Sequence, residues 1–533
     1  MRRILPLVVL ALLPSAPLEA QRPIPPGTEL DDYVRLLEIT GRLTGAPLVF
    51  RPLAARHVGT TLSANSAHPW EAREPLRQNP SGSPGTRVTP LNPSVHGVLQ
   101  SAYPRGVNDG ALWAGKGLSA EVSGGAAATW GPFTATFLPT LYAAANTYFA
   151  TAPISRADRS SFSYPWQSGI DWPQRVGAEV LTEFDWGQSG LRLDLEGFTA
   201  GVSTENLWWG PAQRHPILMS NTAPGFPHAD LGTGRPVRTA IGRIETRLVW
   251  GSLSESGYFD TASTNDRRFF AGLTAAIEPR WLPGLTLGLG RVFYLPWDSA
   301  GAGDVLLGLQ TVFKEDLADS LNPGGDDDRD QMLSFYARWV LPESGFEAYL
   351  EWSRNDHNWD LRDFILEPDH SQAFLLGWTK AIASGPNLWR LRGEMTHLER
   401  SRTFQVRASP VYYTHHVVQQ GYTHKGQLIG AGIGPGGSAQ YFSVDRYSPE
   451  GRMGLYAERV RYDNDAYYEQ FGPTDSYLGH DVELTLGLSA LRFVGDFDLR
   501  GVLALSRELN RYFQVGNDAT NLRAEVTLTW RVR

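Results

Sequence analysis

Residues Leu522 to Arg533 read LRAEVTLTWRVR: Leu522, Ala524, Val526, Leu528, Trp530 and Val532 fall on one side, and Arg523, Glu525, Thr527, Thr529, Arg531 and Arg533 on the other. Side chains alternate across an extended chain, so this stretch is a strand with one greasy face and one charged face. A strand running to the C-terminus is the expected last stave of a barrel, closing against the first. Closure follows from the solvent. In hydrocarbon an unpaired strand edge leaves N–H and C=O groups without water, at a cost of several kcal/mol each, so an open sheet is not viable there.

Working back from the C-terminus as far as Asp109, the same texture recurs in segments divided by Gly, Pro, Asn and Asp clusters. Val482, Leu484, Leu486 and Leu488 alternate with Glu483, Thr485 and Ser489, and Phe346, Ala348, Leu350 and Trp352 with Glu347, Tyr349 and Glu351. Ile244, Leu248 and Trp250 are interleaved with Glu245 and Arg247, and Leu191, Leu193 and Leu195 with Arg192, Asp194 and Glu196. A soluble antiparallel sandwich also alternates. Full charges of both signs on the polar face point instead to a hydrated lumen. Aromatic clusters at strand ends, such as Trp281, Phe293, Tyr294 and Trp297, point to interfacial girdles. The residues available fit about 16 to 18 strands with long outer loops, in an all-β, closed, antiparallel transmembrane barrel.

The N-terminus agrees with export. Met1 to Arg3 is basic, Ile4 to Leu13 is apolar and Leu18-Glu19-Ala20 precedes Gln21, the pattern of a secretory signal peptide (1–20) cleaved after Ala20. Past Leu13 no stretch approaches the ~18 consecutive apolar residues of a transmembrane helix. Residues 21–105 do not alternate. Asp31 is placed to cap a short helix through Val34, Leu36, Leu37 and Ile39. Gly45 to Leu53 reads as a turn and a short extended piece, and Asn79 to Pro93, rich in Pro, Gly, Ser and Thr, as a linker or surface loop. The expected division is therefore a periplasmic or plug-side segment over 21–105 and a barrel over 106–533. There is no cysteine, so thiol and disulfide chemistry are excluded. A formal net charge of −8 argues against nucleic acid as a partner.

Three blocks stand out from this alternation. Asp109 to Gly117 reads DGALWAGKG, Glu205 to Pro211 reads ENLWWGP, and Gly421 to Ser438 reads GYTHKGQLIGAGIGPGGS. Their order and spacing resemble the Wzi capsule assembly family, over a span from about Asp31 to the C-terminus. The resemblance implies an outer-membrane barrel of about 18 strands, with a short helical segment near its periplasmic mouth. It also implies a non-catalytic, lectin-like function: binding, and anchoring or organising, capsular or other surface polysaccharide. Partners expected for such a barrel are that polysaccharide, outer-membrane lipid and lipopolysaccharide, and the barrel assembly machinery during biogenesis. One departure is the terminal Arg533, where outer-membrane barrels commonly end on an aromatic residue; outside the three blocks the similarity is diffuse, and the outer loops carry no matching motif. A porin-like diffusion channel for small solutes or sugars stays open as the alternative, and a secreted soluble β-enzyme acting on polysaccharide as a third reading.

Individual residues divide between binding and packing. Trp208 and Trp209, after Glu205 and Asn206, are suited to a carbohydrate platform, where an indole stacks on a pyranose and the polar pair bonds its hydroxyls. An aromatic girdle or a packed constriction element is the favoured alternative, because aromatics are abundant in every such barrel. Tyr422, His424 and Lys425, near Tyr412, Tyr413, His415 and His416, form the densest polar-aromatic patch; alternation sends Tyr422 and His424 to one face and Thr423 and Lys425 to the other. His424 is suited to a sugar hydroxyl or to a structural hydrogen bond inside the barrel. His215 and His228 flank a proline-rich loop expected to fold rigidly inward. No further ligand is spaced around them for a metal. IGPGGS at Ile433 to Ser438 lacks the context of a phosphate loop and reads as a tight turn. Asp326 to Asp328 with Asp330 lacks calcium-loop spacing and reads as a solvated outer loop. No nucleophile motif stands in context, so neither catalysis nor a cofactor is expected.

Overall fold

The computed structural model describes residues 23–44, 49–54, 58, 62, 67–73, 86–154, 156–195, 197–262, 264–313, 315–316, 329–356, 359–471 and 479–532. The expected signal peptide, residues 79–85 of the expected linker, and Asp326 to Asp328 lie outside them.

Eighteen antiparallel strands close into one barrel. In chain order they begin with β1 (Arg87–Gln100), β2 (Gly117–Trp130), β3 (Phe133–Phe137 and Thr140–Ala144), β4 (Leu181–Asp185 and Gly190–Leu195), β5 (Phe198–Ser203) and β6 (His228–Gly232 and Val237–Arg238). The middle of the wall is β7 (Gly242–Ser254), β8 (Arg267–Pro279), β9 (Leu285–Pro296), β10 (Asp330–Leu341), β11 (Phe346–Asn355) and β12 (Gln372–Ser384). It ends with β13 (Asn387–His397), β14 (Ser438–Ser448), β15 (Gly451–Arg461), β16 (Val482–Val494), β17 (Phe497–Leu509) and β18 (Ala519–Trp530). The quoted C-terminal stretch closes the barrel: in β18, Val526 lies opposite Gly97 and Leu528 opposite Val95 of β1.

The alternation maps onto the two solvents. Leu522, Val526, Leu528 and Trp530 are exposed outward, as are Leu484, Leu486 and Leu488 of β16, while Glu483 points into the lumen and is buried. Short turns at one end, such as Gly131 and Pro132 or residues 385–386 and 495–496, contrast with long connections at the other, among them 204–227 and 398–437. Short turns mark the periplasmic end of such barrels.

The structure corrects the division drawn from sequence. The first barrel strand is β1, inside the stretch assigned to the prelude and linker. Pro90 and Pro93 hide it from a period-two reading, and the register shifts between Leu91 and Ser94, a bulge of the kind that accommodates proline. The aromatic girdle is also smaller than expected. Trp281 and Trp297 are exposed at strand ends, whereas Phe293 and Tyr294 are fully buried on opposite sides of the wall.

A repeated device uses the abundant glycine. On the lumen side Tyr336 lies over Gly288, Tyr349 over Gly377 and Tyr456 over Gly487, each on the directly paired strand. A Cβ at any of these glycines would stand 2.2 Å from the ring. The ring thus occupies the space of the missing side chain.

The prelude forms helix α1 (Glu29–Ile39). Its cap is Thr28, whose hydroxyl accepts the Asp31 N–H at 3.2 Å; Asp31 itself sits in the first turn and accepts the Gly27 N–H at 3.0 Å. The cap is therefore three residues earlier than expected, because Asp31 is needed to pair with Arg51 at 2.9 Å. Tyr33, Val34, Leu36 and Leu37 are buried against Val340, Ala381, Leu388, Tyr447 and Leu491, lumen residues beside the short turns. Thus α1 lies across the periplasmic mouth.

Candidate functional site

Charge fixes α1 in that mouth. Arg390 reaches Asp32 at 3.0 Å, Arg452 reaches Glu29 at 2.7 Å, Arg338 reaches Glu38 at 2.6 Å, and Arg35 of the helix reaches Glu347 at 2.9 Å. Burial works to raise the Asp32 carboxyl, but the guanidinium groups of Arg390, Arg392 and Arg452 prevail and hold it well below the usual carboxylate range. Pairs of this kind add little net stability over apolar contacts, yet breaking one strands its partner. They determine where the helix sits.

Two outer loops fill the lumen from the other end. Residues 204–227 fold inward as their prolines predict, with Ile217, Leu218 and Met219 buried. Glu394 of β13 holds this loop: its carboxylate accepts the backbone N–H groups of Gln213 at 2.7 Å, Arg214 at 3.0 Å and His215 at 2.8 Å, together with the Tyr349 hydroxyl at 2.8 Å. The second loop, 398–437, docks on the first. Tyr413 donates its hydroxyl proton to Ile217 O at 2.6 Å and accepts the Ala431 N–H at 2.8 Å. Ser220 N donates to Ile429 O at 2.9 Å. In IGPGGS, Gly434 and Gly436 take positive φ of 81° and 57°, which a tight turn requires.

Of the candidate glycan-binding residues singled out from sequence, all but Lys425 are buried in this plug. Trp208 and Trp209 pair as a short strand with Phe50 and Arg51, and both are at most 2% exposed. The Trp208 indole donates to Ala212 O at 3.0 Å. Trp209 packs in the central apolar cluster above Gly272 and Gly290. Both rings are enclosed by protein. Asn206 bonds Gln188 and Ala223 O, and Glu205 pairs with Arg192 at 2.6 Å. Tyr422, Thr423 and His424 are all buried, because their hairpin lies within the lumen and both of its faces are covered. Burial, with Lys425 and Arg268 adding to it, pushes His424 well below its usual value; its neutral ring accepts the Ser254 N–H at 3.0 Å through Nδ1. Lys425 is the exposed member of the set and reaches Asp185 at 3.2 Å.

The histidines have local partners. His215 meets Glu458 at 2.8 Å. His228 lies with Glu205 and Asp230 in the one cluster among the described residues with metal-like spacing. Arg192, at 2.6 Å from Glu205 and 3.1 Å from Asp230, already supplies the positive charge there.

A cavity of about 860 Å³ remains between the plug and the wall of β13–β18 and β1. It extends from Asp498 and Arg531 near the short turns to Arg105, Asp109 and Tyr462 on the outer side. At mid-height Tyr441 and Tyr456 stack with ring centroids 5.7 Å apart, and the Arg214 guanidinium lies over both rings. Arg214 in turn pairs with Glu458 at 2.6 Å. Aromatic faces flanked by charged donors and acceptors complement a pyranose, whose C–H faces are apolar and whose rim is hydroxylated. Sequence reasoning missed these residues and Glu394. The only signal was a polar residue at every second position, which marks the lumen face without distinguishing one site on it.

The sequence profile described as "Capsule assembly protein Wzi" matches residues 101–522. The chain belongs to this family. No curated protein sequence matches it. Among solved structures it is similar to Wzi of Escherichia coli, described as an outer-membrane protein involved in group 1 capsule assembly and a carbohydrate-binding β-barrel. The two share 12% identity at a TM-score of 0.63, over 96% of this chain and 100% of that one. A more distant likeness is to OccAB2 of Acinetobacter baumannii, at 11% identity and a TM-score of 0.41, over 84% of this chain and 98% of that one. Family membership and the closed barrel together place the protein in the outer membrane.

Proposed function

We propose that this member of the Wzi family binds capsular or other surface polysaccharide at the outer face of the membrane and holds it there without catalysing its turnover. The observation that carries this reading is the filled lumen: loops 204–227 and 398–437 are packed inside the barrel, so the molecule offers a surface to a polymer. Lys425 and the cavity lined by Tyr441, Tyr456 and Arg214 are the groups assigned to glycan contact. In the same reading outer-membrane lipid and lipopolysaccharide surround the wall, the barrel assembly machinery inserts it, and residues 1–20 are a cleaved export signal. The test is retention of the cell's own polysaccharide by purified protein, and release of polymer into the medium by a deletion strain. Cell-associated polymer at the parental level in the deletion strain refutes the proposal.

The cavity along the wall favours a second reading, a narrow pore for small solutes. Planar bilayers separate the two: steady conductance of porin size supports the pore, and electrical silence supports the binding barrel.

A further inference from the structure

Strand alternation turns Leu287, Phe335, Trp339 and Leu350 to the lipid, and they are exposed there. Arg291, Phe293 and Leu295 share the outward face of β9 with Leu287, and Arg354 shares that of β11 with Leu350. All four are nonetheless buried.

What covers the first three is the loop after β9. It leaves the rim at Trp297 and turns back over the outside of the wall, where Ala302–Leu309 winds into a 3-10 helix. Leu307 packs on Ala271, Phe293 and Leu295. A Cβ on Gly308 would stand 2.8 Å from that of Leu273, and the Trp250 indole donates to Val305 O at 2.8 Å. Arg291 then pins the end of the helix: it donates to the carbonyls of Gln310 and Thr311, the latter at 2.8 Å, and to Gln331 Oε1 at 2.7 and 3.0 Å. Carbonyls at a helix end have no partner within the helix, and hydrocarbon offers no water in its place. A lipid-facing arginine is equally unfavourable with its donors empty. Each satisfies the other.

The neighbouring loop repeats the arrangement. Helix α2 (Leu361–Leu366) sets Phe364 edge-on to Trp352, ring centroids 5.9 Å apart. Arg354 donates to Glu367 O at 3.1 Å, just past the helix, and Glu315 N donates to Trp359 O at 2.9 Å, joining the two loops. Val305, Leu306 and Leu309, with Leu361, Ile365 and Leu366, turn away from the wall and are exposed.

We propose that these loops are lipid-inserted clasps, with their exposed apolar residues among the acyl chains of the outer leaflet and Arg291 and Arg354 as the pins that hold them to the wall. Continuity with the lipid-facing wall identifies the occupant. The exposed side chains stand on the same outward side as Leu287, Phe335 and Leu350, which acyl chains cover in any membrane-spanning barrel.

Because the chain has no cysteine, single thiols can be placed at will. Nitroxide labels on Leu306→Cys, Leu309→Cys and Ile365→Cys, in bilayers containing lipopolysaccharide, are compared by collision with oxygen and with a water-soluble nickel chelate. References are Leu376→Cys on the lipid-facing wall and Val515→Cys in the outer connection 510–518. The clasp labels are expected to prefer oxygen as Leu376→Cys does, the reverse of Val515→Cys. Nickel accessibility equal to that of Val515→Cys overturns the proposal, and so does spin–spin broadening between two copies of the chain. Adding Arg291→Met is expected to free the label at Leu306→Cys while heat-modifiable migration is kept; unchanged label mobility in that variant removes Arg291 as a pin.

Discussion

Replacing Glu394 by alanine tests whether loop 204–227 is held inside the lumen by that carboxylate. The Glu394 carboxylate accepts three successive backbone N–H groups, from Gln213, Arg214 and His215, at 2.7–3.0 Å. A hydrogen bond to a charged acceptor contributes about 1.5–3 kcal/mol, so three of them, discounted for lumen water, anchor the loop by about 5 kcal/mol. Since about 1.4 kcal/mol is a factor of ten, Glu394→Ala is expected to raise local opening of residues 204–227 by about three to four decades. Hydrogen exchange of the peptide carrying Gln213 to His215 reads this directly, with heat-modifiable migration confirming that the barrel is intact. Glu394→Gln keeps an acceptor and should fall between. Planar bilayers should show the alanine variant entering conducting states more often than the parent. An exchange rate within about one decade of the parent's, in a folded variant, refutes the assignment of Glu394 as the anchor.

Trp209→Ala should lower the barrel's stability by about 3–5 kcal/mol, as truncating a buried aromatic does, and leave polysaccharide retention unchanged in whatever fraction folds. A binding defect with an unaltered unfolding temperature would restore the platform reading. At the inner mouth, Asp32 has a carboxyl held below its unfolded value, so its stabilising share is complete above about pH 4 and fades as pH falls through the depressed value. Asp32→Asn should therefore expose α1 to protease at neutral pH and match the parent in strong acid; equal cleavage at pH 7 contradicts the ion-pair account. Finally, Gly487→Ala should destabilise by about 1–3 kcal/mol through overpacking on Tyr456, and Tyr456→Leu should recover most of that loss. Additive effects in the double variant would show that ring and glycine do not share the space.

The barrel was legible because its two solvents write on alternate residues. Leu484, Leu486 and Leu488 meet lipid and Glu483 meets the lumen, so the period of two in the sequence is the period of two in the wall. The reading failed where a residue served neither solvent in the ordinary way. Pro90 and Pro93 broke the alternation of β1, which tolerates them at a shift of register. Leu491 and Phe493 face the lumen although they are apolar, because the apolar cluster formed by α1 and Trp70 covers them there. Phe293 reads as a girdle residue, yet a loop folded over the outside of the wall takes the lipid's place above it.

The site was less legible for a related reason. ENLWWGP and GYTHKG, the blocks that resemble the family's, lie together in the plug. Trp209 fills the space over Gly272 and Gly290, Tyr413 staples two loops, and His424 receives a backbone N–H from the rim of β7. A tryptophan pair suited to a sugar is equally suited to closing a lumen, and sequence spacing does not separate the two uses, because both call for a broad apolar ring with a polar edge. Burial separates them. With the aromatic rings of these motifs inside, the groups proposed for glycan contact are Lys425, the exposed member of GYTHKG, and the Tyr441, Tyr456 and Arg214 wall of the remaining cavity, which no motif marks. In the proposed reading the plug serves binding indirectly, by filling the bore beside that wall.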